Sequence, residues 1–415
     1  MTFIYQLKQM TEVRLSSSLR ARNVSDSIAL AIEIAKSRGI SRVVDTTWLD
    51  RIGIPVFASI RPDGAKGTLC VHAGKGYTSD EAKIGAYMEA IEFSFAQPGR
   101  NVVPWSLKKP MDVLKSFHGN IQFSDFAPRL GKRISVDDEI AVVEGTELLT
   151  GLGMVLVPAE LVYHPFFENP GVRLYGTTTN GLASGNTVDE ATVHGLAEVM
   201  ERHVRSFEIL DDNSTLVRPD TVPPRIGSMI SRVEMAGLRC HLRFSTNPFG
   251  LPYFSAYVLE RDEFSPISVG AGFGLHPISD IAAVRAIAEA VQGRLSHIHG
   301  GRDDIIKRVD VSNDLGREAE LLAIKRLREI ASRATDNIAF ADIPTFDRVN
   351  SISSAQQCLL DALWGADLKH VVRVVLSPPG YPFAIVKVLV PGAEMYEPKL
   401  QRVGPRILKE FQNGR

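Results

Sequence analysis

Cysteine is scarce in this 415-residue chain, and Cys70, Cys240 and Cys358 stand far apart. An odd, sparse set builds no disulfide framework and offers no metal-ligand spacing; it points to reduced, mostly buried thiols. Net charge is nearly absent, at −1, so no global field recruits nucleic acid or a membrane surface. No apolar run approaches the ~18 residues of a membrane span. Residues 1–10 lack the apolar core of a signal peptide. There is no low-complexity linker, no Gly-x-x-x-x-Gly-Lys-Ser/Thr phosphate loop and no kinase signature. These absences predict a cytoplasmic protein with neither nucleic-acid nor membrane partners. A nucleotide site, if there is one, must be built by other means.

What is present suits a large core: 44% of residues are hydrophobic and 23% charged. Helical spacing covers 26–37 and closes at Gly39. Strand-like runs follow at 55–60 and 67–73, then a sharp loop at Gly74-Lys75-Gly76. Thr78 and Glu81 read as a capping box for a helix reaching Gln97, as do Thr187 and Glu190 for a second helix. Residues 100–170 read as connecting structure with a short strand at 154–158. A third helix starts near Ser279 after a strand-like run at 267–273. A charged amphipathic helix is predicted over 316–333, and β-rich stretches at 371–376 and 383–390. This interleaving predicts a mixed α/β (α+β) fold. We expect a single large domain over 1–415, its core at about 40–405, with residues 1–39 packed on it. The repeated strand-or-loop-to-helix units hint at internal duplication, though their spacing is unequal.

Three of these helices carry one pattern: Ala86-Tyr-Met-Glu89-Ala-Ile-Glu92, Gly195-Leu-Ala-Glu198-Val-Met-Glu201-Arg202 and Ala286-Ile-Ala-Glu289-Ala-Val-Gln292. Residues three apart share a helix face. One such pair is ordinarily a solvated surface. Three among Ala, Met, Leu, Val and Ile are hard to obtain that way, because acidic groups seldom sit in apolar surroundings unless paired or metal-bound. Glu89, Glu92, Glu198, Glu201 and Glu289 therefore read as oxygen ligands for Mg2+ carrying a polyphosphate. Arg202, and Arg285 one turn before Glu289, suit phosphate oxygens. The loop at 180–187, with Ser184 and Asn186, offers backbone N–H groups to an anion. Lys75 adds a cation. His194 and His203 read as helix-face or core histidines.

These segments resemble the YcaO family. The resemblance is carried most specifically by Asn180-Gly-Leu-Ala-Ser-Gly-Asn186-Thr-Val-Asp-Glu190 with Glu198-Val-Met-Glu201-Arg202. Ala288-Glu289-Ala-Val-Gln292-Gly-Arg294 with Arg302-Asp-Asp304, and Gly74-Lys-Gly76 with Glu89-Ala-Ile-Glu92, agree with it. The resemblance implies an ATP site. Glu89, Glu92, Glu198, Glu201 and Glu289 would handle Mg2+ and phosphates, and Asn186, Glu190, Arg202 and Arg285 would hold the nucleotide. Arg20 and Ser27 would add contacts, and Glu201, Glu289, Arg202 and Arg285 would carry catalysis. It also implies the activity: a nucleophile adds to a backbone amide, the oxyanion takes the γ-phosphoryl group, and phosphate leaves. Azoline-forming members often end in Pro-x-Pro-x-Pro; this chain ends without it. Thr46-Thr-Trp-Leu-Asp50-Arg51, Val390-Pro-Gly392-Ala-Glu394 and Val403-Gly-Pro405-Arg406 are similar to members that work with a TfuA-type partner. The resemblance therefore implies thioamidation of a ribosomally made precursor peptide, with a TfuA-like accessory protein and a sulfur donor. It leaves open a homodimer, an azoline-forming cyclodehydratase and a non-catalytic nucleotide-binding scaffold.

Overall fold

Strands in this protein lie flat on helices wherever glycine meets alanine. The computed structural model describes residues 12–98, 103–167, 170–263, 265, 267–303, 305, 316–397 and 401–413. Asp304 lies outside them. In chain order the strands and helices begin with β1 (Val13–Arg14), β2 (Leu19–Arg20), α1 (Val24–Ala35), β3 (Arg42–Asp45), β4 (Val56–Ile60), β5 (Val71–Lys75) and α2 (Ser79–Ala96). Next come β6 (Ser106–Lys108), α3 (Pro110–Ser116), β7 (Ile140–Glu147), β8 (Met154–Pro158), β9 (Leu182–Gly185) and α4 (Val188–Glu208). They continue with β10 (Thr215–Val217), α5 (Pro224–Met235), β11 (Arg239–Phe244), β12 (Tyr253–Leu259), β13 (Val269–Leu275) and α6 (Ser279–His299). The last are α7 (Arg317–Ser332), β14 (Asn337–Ile338), α8 (Ile352–Gly365), β15 (Val372–Val375), β16 (Ala384–Leu389) and α9 (Pro405–Gln412).

The mixed α/β fold matches expectation. Its sheets run β3-β4-β5, β6-β7-β15-β16-β9 with β8 on β7, and β13-β12-β11-β10-β14, beside a small β1-β2 hairpin. Thus β5, β9 and β13, the strands that lead into α2, α4 and α6, are each the last strand of a sheet. The reason lies in the contact each makes with its helix. A Cβ on Gly74 would fall 2.1 Å from the Ala82 carbonyl oxygen, and one on Gly185 would fall 2.6 Å from the Ala191 nitrogen. A Cβ on Gly272 would fall 2.2 Å from the Ala290 nitrogen. Ala82, Ala86, Ala191, Ala282, Ala286 and Ala290 are fully buried. Small residues on both sides let backbones meet, and each acidic pair then projects from its helix beyond the strand.

Three readings need correction. The 180–187 segment is not a loop throughout: Leu182–Gly185 form β9, where Ala183 and Gly185 pair with β16, and the Gly181 and Leu182 amides are taken by Glu198 and the Thr179 carbonyl. Gly74 and Lys75 do not form a loop; they end β5, because Gly74 is where the strand lies on α2. Residues 100–170 are not mere connection. β7 is buried over most of its length, and Val142, Val143, Val155 and Val157 share a core cluster with α1 and α2. Their strands are separated by polar turns, and β7 is buried on both faces, so no period-two pattern marks it. Other elements fall close to expectation, with α7 over 317–332 and Gly39 closing the first helix in a left-handed conformation.

A buried ion-pair cluster ties the N-terminal sheet to α6. Arg294 donates from Nε to Asp50 at 2.8 Å and from Nη2 to Glu260 at 2.7 Å. Arg51 reaches the same Glu260. At the other end, Glu394 accepts from the amides of Gly404, Arg406 and Ile407 and so caps α9. Its own amide donates to His203 Nδ1 on α4. The segments that resemble TfuA-associated proteins at Asp50, Arg51 and Glu394 are thus bracing, in contact with α6 and α4.

The strand–helix contact makes a prediction about stability. Gly272→Ala must push β13 off α6 and is expected to cost about 1–3 kcal/mol. Gly293→Ala on α6 meets nothing nearer than the Ala271 carbonyl oxygen at 3.6 Å, and helix propensity favours it by about 1 kcal/mol. Denaturant midpoints of the two variants should move in opposite directions; a common shift would refute the packing account.

Candidate active site

The acidic flanks of α2, α4 and α6 converge on one cleft of ≈ 1340 Å³. Every candidate residue lines it: Glu89 and Glu92 from α2; Glu190, Glu198, Glu201 and Arg202 from α4; Arg285 and Glu289 from α6. Lys75, Ser184 and Asn186 enter from the ends of β5 and β9, and Arg20 and Ser27 from the N-terminal segment. Segments distant in sequence meet because their helices sit at three open sheet edges.

One end of the cleft is a hydrogen-bond network around Glu190. Its carboxylate accepts from Arg20 Nη1 at 2.7 Å and from the Ala21 amide at 2.8 Å. Asn186 Nδ2 donates to it at 3.0 Å, and Ser27 donates to Asn186 Oδ1 at 3.0 Å. The capping boxes are therefore half made. Thr187 and Thr78 accept from the Glu190 and Glu81 amides as expected. The two carboxylates turn elsewhere: Glu81 accepts from the amides of Ser16 and Tyr77. Glu81 and Glu190 thus pin both ends of the β1–β2 hairpin over the cleft. Glu81 was read only as a cap, because its partner lies 65 residues away.

The other end gathers charge. Lys75 Nζ stands 2.5 Å from Glu289. Burial would raise the Glu289 pKa, but Lys75, Arg202 and Arg285 outweigh it and hold the carboxylate ionised. Glu201 goes the other way: burial and the neighbouring Glu289 push its carboxyl up against the pull of Arg202 and Arg285. Burial drives Glu92 up to about 8, and Glu89 and Glu198 add to this, although the Ser184 hydroxyl and Arg20 oppose it. The Ala73 amide donates to Glu89, and the Gly181 amide to Glu198 at 3.3 Å. The Arg202 and Arg285 side chains make no hydrogen bond or ion pair among the described residues, and the buried Arg285 Nε is without a hydrogen-bond partner. His194 also lines the cleft; burial, Arg20 and Arg285 keep it neutral. His203 is core, as expected.

Sequence reasoning missed Lys387. Fully buried in β16, it donates to the Thr178 carbonyl at 2.6 Å, and burial lowers its pKa to about 7. It braces the loop before β9. A lone lysine in a β-rich run gives no signal for this.

The donor set is all oxygen, which suits a hard divalent cation. Among the described residues, no three His, Cys, Asp or Glu side chains are grouped to hold a metal ion by themselves. Glu92 and Glu201, pushed toward protonation by burial and by neighbouring carboxylates, beside guanidinium groups that make no hydrogen bond or ion pair among the described residues, fit a cation that arrives with phosphate oxygens. Among the described residues no helix is long and apolar enough to cross a membrane. Cys70, Cys240 and Cys358 are free thiols, of which Cys240 is buried and the others half-buried.

Comparison with known proteins bears on this site. The family model described as YcaO cyclodehydratase, ATP- and Mg2+-binding, matches residues 73–394. A protein of Methanothermobacter thermautotrophicus is 32% identical over 386 residues, spanning 89% of this chain and 93% of its own length. A Rhizobium leguminosarum bv. trifolii protein, described as lying in the tfuA 3' region, is 31% identical over 370 residues, 86% of this chain and 84% of its own. The structure of YcaO from Methanopyrus kandleri, bound with AMPPCP and Mg2+, has a TM-score of 0.72 at 24% identity, covering 95% of this chain and 98% of that one. At that identity the likeness is one of fold.

The raised Glu92 carboxyl makes stability depend on pH. A group whose pKa is higher in the fold contributes fully below its unfolded value, about 4.3, and loses that contribution as pH rises through the folded value. Relative to Glu92→Gln, which cannot ionise, the ligand-free protein should lose thermal stability from about pH 5 to pH 8. Parallel melting curves for both proteins across that range would contradict the assignment.

Proposed function

This chain belongs to the YcaO family, and on that premise we propose that it activates a backbone amide of a peptide or protein, with a thioamide as product. ATP and Mg2+ are the cofactors of the family. Bound MgATP would supply a γ-phosphoryl group to the amide oxygen, so that phosphate, rather than oxide, leaves as sulfur takes its place. One observation carries the reading: carboxylates of three helices face one cleft with two guanidinium groups that make no hydrogen bond or ion pair among the described residues.

Each residue then has a task. Glu89, Glu92, Glu198, Glu201 and Glu289 would hold Mg2+, with Ser184 orienting Glu92. Lys75 keeps Glu289 ionised and near its position. Arg202 and Arg285 would bind phosphate oxygens and neutralise charge, the principal demand of phosphoryl transfer. Glu190, Asn186, Ser27 and Arg20 would hold the nucleoside end, already tied together by hydrogen bonds. The thioamide outcome is supported by the relative in the tfuA 3' region, and it calls for a precursor peptide, a TfuA-like partner and a sulfur donor. The cyclodehydratase description of the family favours a second reading, azoline formation on Cys, Ser or Thr.

Mass spectrometry of substrate treated with protein, partner, MgATP and sulfide separates the two. A thioamide adds about 16 Da by O→S exchange, whereas ring closure loses water; both follow from the same phosphoryl chemistry. Glu201→Gln and Glu289→Gln should each lower peptide-dependent ATP consumption by about 10²–10³-fold with circular dichroism unchanged. Full activity in either variant would sink the site assignment.

A further inference from the structure

Resting on the amide-activation reading, we propose that the substrate peptide binds as an added β-strand on the open edge of β13, its backbone paired with Val269, Ala271 and Phe273. β13 ends its sheet, with β12 on one side and, among the described residues, no strand on the other. The hydrogen-bond phase decides which groups are open. Glu260 donates to the Ser268 carbonyl and His276 to that of Pro252. In an antiparallel pair, bonded positions recur every second residue. Gly270, Gly272 and Gly274 therefore bond to β12, and the N–H and C=O groups of Val269, Ala271 and Phe273 point away from it. Among the described residues none of these outward groups has a hydrogen-bond partner, and all three residues line the cleft.

The other two edges are less free. On β5, the Ala73 amide donates to Glu89 and its carbonyl accepts from Gln292. On β9, the Leu182 amide is taken by the Thr179 carbonyl at 2.8 Å. Only β13, among the described residues, offers three successive outward positions. Unpaired edge groups are a template for another strand, and the substrate class of the proposed reaction is an extended backbone.

The edge also lies beside the charged end of the cleft. Glu289 packs against Gly272, and the Ala271 carbonyl oxygen is 3.6 Å from where a Gly293 Cβ would be. Gly293, one turn after Glu289, thus leaves the approach to that carbonyl clear. A strand added here would carry successive peptide planes past Glu289 at ~3.3 Å per residue. Pairing through the backbone recognises the group that reacts, and side chains enter only by alternation.

The test reads binding without turnover. The probe is acetyl-Thr-Val-Thr-Gly-Thr-Val-Thr-amide, with versions N-methylated at odd or at even residues, titrated onto the full chain with Mg2+ and a non-hydrolysable ATP analogue. The parent peptide should slow amide exchange at 269–273, and only one N-methylation register should abolish binding. Ala271→Pro removes an outward donor without touching the β12 ladder, and Gly293→Leu covers the edge carbonyl. Each should weaken peptide binding about tenfold, with nucleotide affinity unchanged; Ala271→Val should bind as the parent does. No binding to protein that holds the nucleotide, or equal binding by Ala271→Pro and both N-methylated registers, overturns the proposal. Edge binding without amide chemistry on any peptide would fail the functional reading alone, and thioamidation undisturbed by Ala271→Pro would fail this proposal alone.

Discussion

The contact between glycine on a strand and alanine on a helix governs this structure. Where Gly74, Gly185 and Gly272 meet α2, α4 and α6, backbones touch without side chains between them. Interiors are close-packed, and an extra methyl at such a point forces strand and helix apart. The contact sets the rotation of each helix over its sheet, and rotation sets where its carboxylates project. Repeated in three units, it turns helices from three sheets toward one cleft.

Gathering acidic groups in a cleft carries an electrostatic penalty, and the arrangement manages it unevenly. Glu289 is ionised because Lys75 is beside it; Glu190 is held by Arg20, Asn186 and a backbone amide. At Glu92 and Glu201 burial outweighs the compensation that Ser184 and Arg20, or Arg202 and Arg285, provide, and both are pushed toward the protonated form. Meanwhile Arg202 and Arg285 stand without hydrogen-bond or ion-pair partners among the described residues. A site with surplus carboxylates beside guanidinium groups that make no hydrogen bond among the described residues is complementary to a metal–polyphosphate, which carries both signs. Burial strengthens each of these interactions, since the cleft floor screens less than bulk water.

The braces around the cleft follow the same logic at longer range. Glu81 and Glu190 each occupy the third position of a helix, accept a threonine's help with their amides, and spend their carboxylates on the β1–β2 hairpin. Asp50 and Glu260 hold Arg294 at the far end of α6. Glu394 and His203 join α9 to α4. A helix fixed at both ends keeps its charged flank in register with the others, and phosphoryl transfer depends on such positioning.

The sequence by itself determined a good deal. Acid spacing, small neighbours and threonine caps made the three helices and their candidate residues legible, because these are local and periodic. The mixed α/β class was legible from interleaving, and the family from the 180–202 segment. Other features were decided only in three dimensions. Nothing near Gly74 says that it lies on α2, so the strand end was read as a loop. The short strands of 106–158 lack a visible period because both faces of β7 are buried. Glu81, Lys387 and Asp50 have partners remote in the chain, and their chemistry is invisible until the fold brings those partners to them. Local sequence fixes which side chains share a helix face. Which faces meet, and which charges are left without partners when they do, is set by long-range packing that no window of sequence contains.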